Sequence, residues 1–151
     1  MQVSEYRRMT IAGASPEDSR AAIQYLTESL RVFNAAALAN VRPFNGFHFR
    51  LMLDEALLNA NEHGCRNVAN PRIELTVRFS DASIEVTIED PGNGFSFAEH
   101  MNKQDVHFDE IMQQGIRRAK GWGLVVMRSL TQGIFFNPLG NRITLLLRRP
   151  V

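Results

Sequence analysis

At Pro71 the hydrophobic pattern of the chain changes period, and that change constrains the fold more than any other feature. Ahead of it, Ile23, Leu26, Leu30, Phe33 and Ala37 recur at alternating spacings of three and four, the apolar stripe of a helix lying on something flat. Beyond it, Ile73, Leu75, Val77 and Phe79 alternate with Glu74, Thr76 and Arg78. Ile84, Val86 and Ile88 repeat the alternation after a turn at Ser80-Asp81, so 71–89 reads as a hairpin of half-buried strands. A sheet with one apolar face and helices with one apolar stripe cover each other, which predicts a two-layer α/β (α+β) sandwich.

The flanking segments fit that frame. Residues 5–13 read as a first strand. Ser15-Pro16-Glu17-Asp18 is a helix start, with a capping hydroxyl, a proline suited to the first position and two acids at the positive end of the dipole. The helix it opens is predicted to run to about Ala39. A second helix opens after Pro43 and stops at Gly64. After the hairpin come residues 95–120, too long a stretch for a simple connection and therefore a lid or binding loop, with a short helix around 109–118. Gly121-Trp122-Gly123 then leads into a short apolar helix, and GIFFNP and NRITLLLRR form two last strands around a turn at 138–141. The order predicts a mixed, mostly antiparallel sheet covered on one face by helices.

Composition excludes several function classes. A chain of 151 residues is expected to form one domain, burying about 70% of its unfolded surface. Seventeen Lys and Arg against sixteen Asp and Glu leave +1, no field to draw the chain onto nucleic acid or an anionic membrane. No apolar run approaches the roughly 18 residues of a membrane span, and no apolar leader core follows the charged N-terminus. The lone Cys65 closes no internal disulfide, which suits a reducing compartment, and the expected location is the cytoplasm. His48, His63, His100, His107 and Cys65 show no metal-ligand spacing.

Three short segments carry chemistry. On the second helix Leu53, Ala56, Leu57, Ala60 and Gly64 form the core face, while Glu55, Asn59 and Glu62 share a narrow polar arc bordered by apolar residues. Asp54 and Asn61 fall on a different face, read as solvated. A carboxylate and a carboxamide one turn apart serve one ligand, the amide oxygen holding a hard cation and the carboxylate accepting a proton, or else form one more exposed pair. Asp90-Pro91-Gly92-Asn93-Gly94-Phe95 follows a strand end, where glycines let backbone approach a flat ligand or simply make a turn. Lys120-Gly121-Trp122-Gly123-Leu124 opens a helix whose N–H groups favour an anion, without the Gly-Lys-Ser/Thr of a Walker loop.

In this order, "EALLNANEHG", "EDPGNGF" and "KGWGLVVM" resemble the three nucleotide-binding boxes of the GHKL ATPase superfamily, with its Bergerat ATP-binding fold. Within it the chain looks most like the small single-domain anti-sigma factor serine/threonine kinases of bacteria. The resemblance implies one histidine kinase-like ATPase domain over 1–151, with an ATP lid at about 95–120. It implies Asn59 as the ligand of Mg²⁺ and Glu55 as general base for the attacking hydroxyl. Asp90 would accept a hydrogen bond from the adenine amino group, with Gly92 and Gly94 passing close to the ring and Phe95 and Met127 as apolar walls. Gly121, Gly123 and the Leu124 backbone would cradle the phosphates. The pattern departs from the family at Asn141, where a Thr usually follows the glycine. Arg117, Arg118 and Lys120 are lid bases that either reach the γ-phosphate or are solvated.

The activity so implied is phosphorylation of a STAS-type anti-sigma-factor antagonist, with sequestration of an RNA polymerase sigma factor and a possible homodimer. The rival is a nucleotide-gated binding module without phosphotransfer. Glu55 discriminates between them, because binding alone has no use for a positioned base.

Overall fold

A computed structural model describes residues 4–94 and 123–150 of the chain. Strand β1 (Ser4–Ala12) is followed by helices α1 (Pro16–Ala35) and α2 (Gly46–Asn59), and α2 continues into one π turn over Ala60–Gly64. Strands β2 (Arg72–Ser80) and β3 (Ser83–Glu89) form the hairpin; helix α3 (Gly123–Leu130) and strands β4 (Gly133–Phe136) and β5 (Arg142–Arg148) complete the described order. The five strands lie in the order β1-β2-β3-β5-β4, antiparallel at every described pairing.

The alternation read from the sequence is the alternation of burial. Ile73, Leu75, Val77, Phe79, Ile84, Val86 and Ile88 are all at most 2% exposed, and they meet Leu26, Leu30, Phe33, Phe49, Met52 and Leu57 of the two helices in one core. The opposite face of the sheet carries Glu74, Thr76, Arg78, Glu85 and Thr87, with an Arg78–Glu85 ion pair and a Thr87–Thr144 hydroxyl contact between strands. Stacking of Phe33 on Phe79, with ring centroids 5.4 Å apart, and the Phe49–Phe79 contact fix α1 and α2 on β2.

The helix boundaries follow local hydrogen bonding. Ser15 caps α1 by accepting the Asp18 N–H, and Asn45 caps α2 by accepting the His48 N–H. Helix α1 ends at Ala35, short of the predicted Ala39. Asn34 exchanges two hydrogen bonds with the Phe44 backbone, at 2.9 and 3.0 Å, and so draws the chain back toward α2 before another turn forms. At the far end Arg149 donates to the carbonyls of Asp81 and Arg42 and lies over the Phe44 ring, tying the end of β5 to the α1–α2 connection. Among the described residues no helix is long and apolar enough to cross a membrane.

Candidate functional site

The described parts of the three chemistry-bearing segments lie where the C-terminal end of α2, the end of β3 and the start of α3 meet. Helix α2 buries Leu53, Ala56 and Leu57 in the core, and it also buries a carboxylate: Glu55 is 2% exposed, one of two buried polar residues among those described. A buried carboxylate costs free energy that packing alone does not require, so its place on α2 points to a chemical task.

Gly123 explains how α3 comes so close to that carboxylate. A Cβ built on it would stand 3.0 Å from Glu55 Oε2 and 3.2 Å from both Asn59 side-chain atoms Oδ1 and Nδ2. The glycine therefore brings the first turn of α3 against the carboxylate–carboxamide pair, with backbone N–H groups at the helix start. Glu55, Asn59 and Gly123 thus form one cluster, as the arc on α2 suggests. Glu62, on the same arc, is exposed, because the π turn after Asn59 shifts the helical phase beyond that residue.

Asp90 lies on an open cleft whose walls include Ala56 and Asn59 of α2, Ile88 of β3 and Met127 of α3. Phe136, Gly140, Asn141 and Ile143 close it from the side of β4 and β5. Asp90 Oδ1 accepts the Gly92 N–H at 2.9 Å. Burial pushes the Asp90 carboxyl above the ordinary range for aspartate; the Gly92 N–H opposes this, the neighbouring Glu89 charge adds to it, and His63 opposes it.

Two glycines shape this end for reasons the sequence did not disclose. Gly64 is not a left-handed helix stop: a Cβ there would overlap the Asp90 carboxylate, so its lack of a side chain seats Asp90. Gly94 has φ +82°, and a Cβ on it would collide with the Leu139 carbonyl, so the end of the "DPGNG" segment rests on the β4–β5 turn. Asn61 also differs from its reading as a solvated residue. Its Oδ1 accepts the Ala14 N–H at 2.7 Å, and its Nδ2 donates to Ser19 Oγ and to the Leu57 carbonyl. Buried Cys65 lies beside this clamp with its thiol pushed up by burial, which leaves little thiolate for chemistry.

Of the residues read as a site, Glu55, Asn59, Asp90, Gly92, Gly94, Gly123 and Met127 come together. Phe95, Gly121, the lid segment 95–120 and its bases Arg117, Arg118 and Lys120 lie outside the described residues, and Leu124 is placed by its backbone alone in α3. Sequence reasoning missed Asn137 of the β4–β5 turn, whose signal was the Asn-Pro-Leu-Gly-Asn run.

A comparison with curated proteins finds no match. The family model of the histidine kinase-like ATPase domain matches residues 13–147, from the β1–α1 turn to the last described strand. That span covers every described element around the cleft, and such a domain implies ATP binding: the chain belongs to the histidine kinase-like ATPase domain family.

Proposed function

We propose that this chain is an ATP- and Mg²⁺-dependent protein serine kinase that acts as an anti-sigma factor, phosphorylating a STAS-type antagonist and sequestering a sigma factor. The observation that carries the reading is the burial of Glu55, 2% exposed, against Gly123 and beside Asn59. A module that only sensed nucleotide would need Asp90 and the glycines but would gain nothing from a carboxylate held in that place.

The donor set fits the ligands. Asn59 offers a hard carboxamide oxygen for Mg²⁺, the start of α3 offers backbone N–H groups for phosphate, and Gly123 leaves room where a Cβ would crowd both. Asp90 offers an acceptor for the adenine amino group and Met127 an apolar wall, with Phe95 assigned as a second wall and Gly92 and Gly94 assigned to pass close to the ring. Gly121 and the Leu124 backbone are assigned to the phosphate end. Bound Mg·ATP supplies the phosphoryl group and the charge neutralisation.

The chain's own residues supply position and a proton acceptor. Glu55 takes the proton of the attacking serine hydroxyl, and its burial away from water holds the carboxylate in one orientation. Asn59 fixes the phosphate end from one helical turn away, and Asp90 fixes the base end, so the reacting atoms are held from both sides. The sigma factor, the antagonist and a homodimer are the partners this reading assigns.

The test is transfer from γ-labelled ATP, using wild type and Glu55→Gln with candidate STAS-domain proteins, after both are shown to bind ATP. Label on a serine with wild type, lost with Glu55→Gln, supports the kinase. Tight ATP binding by wild type with no label transferred overturns it in favour of the nucleotide-gated binding module.

A further inference from the structure

The β4–β5 turn contains a hydrogen-bond relay that ends on Asp90, and backbone groups fix its polarity. Asn137 Oδ1 accepts two backbone N–H groups, those of Gly140 at 2.9 Å and Arg142 at 3.0 Å. Only the oxygen of a carboxamide accepts, so the Asn137 amide has one possible orientation. Its Nδ2 therefore faces Asn141 and donates to Asn141 Oδ1 at 2.6 Å. That bond in turn leaves Asn141 Nδ2 to donate to the Asp90 carbonyl at 3.1 Å. The Asp90 N–H donates to the Asn141 carbonyl at 2.9 Å. One residue thus holds both backbone polar groups of Asp90.

We infer that Asn141, oriented by Asn137, is the positioning residue that sets Asp90 for nucleobase recognition. The inference rests on the proposed reading of Asp90 as the base acceptor and deepens it. Asp90 is the first residue beyond β3, where the sheet ladder no longer holds the chain, and two glycines follow within four residues. Among the described residues the carboxylate itself accepts one hydrogen bond, from the Gly92 N–H of the same glycine-containing segment, so its aim depends on how the Asp90 backbone is held. Asn141 also forms part of the cleft wall beside Asp90, so its orientation sets both the acceptor and its surroundings.

Asn137→Asp isolates the relay from the turn. A carboxylate there still accepts from Gly140 and Arg142 but has no hydrogen to give Asn141. The Asn141 amide then turns its Nδ2 toward residue 137 and presents an oxygen to the Asp90 carbonyl, breaking the link. Asn141→Ala removes the side-chain half of the hold directly and leaves the backbone bond from the Asp90 N–H to the carbonyl of residue 141.

The experiment is calorimetric binding of Mg·ATP and Mg·GTP to the full chain, for wild type, Asn137→Asp, Asn141→Ala, the double variant and Asp90→Asn. ATP affinity is expected to fall about five- to tenfold in each relay single variant, the loss of one or two hydrogen bonds. The ATP-over-GTP preference should narrow by a similar factor, and the double variant should be no worse than Asn141→Ala, because the two act through one link. An unchanged ATP-to-GTP ratio in both relay variants, with the ratio lost in Asp90→Asn, overturns the relay and leaves the base site standing. An unchanged ratio in Asp90→Asn as well overturns the reading of the base site itself.

Discussion

The bare Cα of Gly64 is the seat of the Asp90 carboxylate: a Cβ at residue 64 would overlap that group, and the Gly64 carbonyl lies 2.7 Å from where a Cβ on Gly92 would stand. The last turn of α2 and the loop after β3 are therefore fitted to each other at van der Waals distance. This contact couples the end of the helix that carries Glu55 and Asn59 to Asp90 on the wall of the cleft. The π turn over Ala60–Gly64 makes the fit, since it sets the phase in which Gly64 faces β3 while Asn59 faces α3.

Gly64→Ala is expected to displace Asp90 and to destabilise the fold by about 1–3 kcal/mol, the usual cost of forcing a methyl group into a packed contact. ATP affinity should fall at least tenfold. Denaturant unfolding gives the first quantity and calorimetry the second; an Ala variant with wild-type affinity would show that Asp90 does not contribute to binding from its observed place.

Gly123→Ala should behave in the opposite way. Among the described residues the nearest atoms the added Cβ meets are the ends of the Glu55 and Asn59 side chains, at 3.0 and 3.2 Å, rather than backbone, and alanine favours helix over glycine by up to about 1 kcal/mol. The fold is expected to be as stable as wild type or slightly more so, while phosphotransfer falls by about tenfold to a hundredfold because Glu55 and Asn59, the proposed base and metal ligand, are pushed aside together. A thermal melt beside a transfer assay separates the two effects, and full activity in a stabilised variant would remove Gly123 from the site.

The contrast between these glycines shows which parts of the molecule were legible in the sequence. The strands were legible because a half-buried sheet imposes period two, and Ile73 to Phe79 and Ile84 to Ile88 obey it without a break. The start of α1 was legible because Ser15 and Pro16 act within one turn of themselves. The Glu55–Asn59 pair was legible because both sit on one helix. Gly64, Asn61 and Asn137 were not, since each takes its role from a segment distant in sequence: Asp90, Ala14 and, through Asn141, Asp90 again. The end of α1 was misjudged for the same reason, as its apolar stripe continues to Ala37 but the Asn34–Phe44 bonds turn the chain away first.

Asp90 makes stability depend on pH in a predictable direction. Its carboxyl is held above the ordinary aspartate range, chiefly by burial, so the folded state retains its proton to higher pH than the unfolded chain does. Between the two pKa values the native state binds more protons, and stability falls as pH rises through that window. Ionised Asp90 is thus a burden on the fold at neutral pH that is lifted as pH falls below the unfolded value near 3.8. Asp90→Asn keeps the acceptor for the Gly92 N–H and should melt at or above the wild-type temperature at pH 7, with the gap closing toward pH 4, while losing ATP affinity. A variant that melts lower at pH 7 and higher at pH 4 would reverse the sign and refute the assignment of burial as the dominant cause.

Asn61 and Asn59 stand two residues apart in the same run and are expected to give opposite phenotypes. Asn61 bridges three segments through Ala14, Ser19 and Leu57. Ala14 adopts φ +55°, a left-handed conformation that costs an alanine roughly 1–2 kcal/mol, and the Asn61 acceptor helps hold it there. Asn61→Ala leaves the Ala14 N–H and Ser19 hydroxyl without that partner and should cost about 1–3 kcal/mol, with nucleotide affinity per folded molecule unchanged. Asn59→Ala should leave stability within about 0.5 kcal/mol, as for a half-buried residue outside the packed core, and abolish the Mg²⁺-dependent part of ATP binding. Unfolding curves and titrations with and without Mg²⁺ decide the matter, and an Asn59→Ala variant with unchanged affinity in Mg²⁺ would take the metal-ligand role away from Asn59.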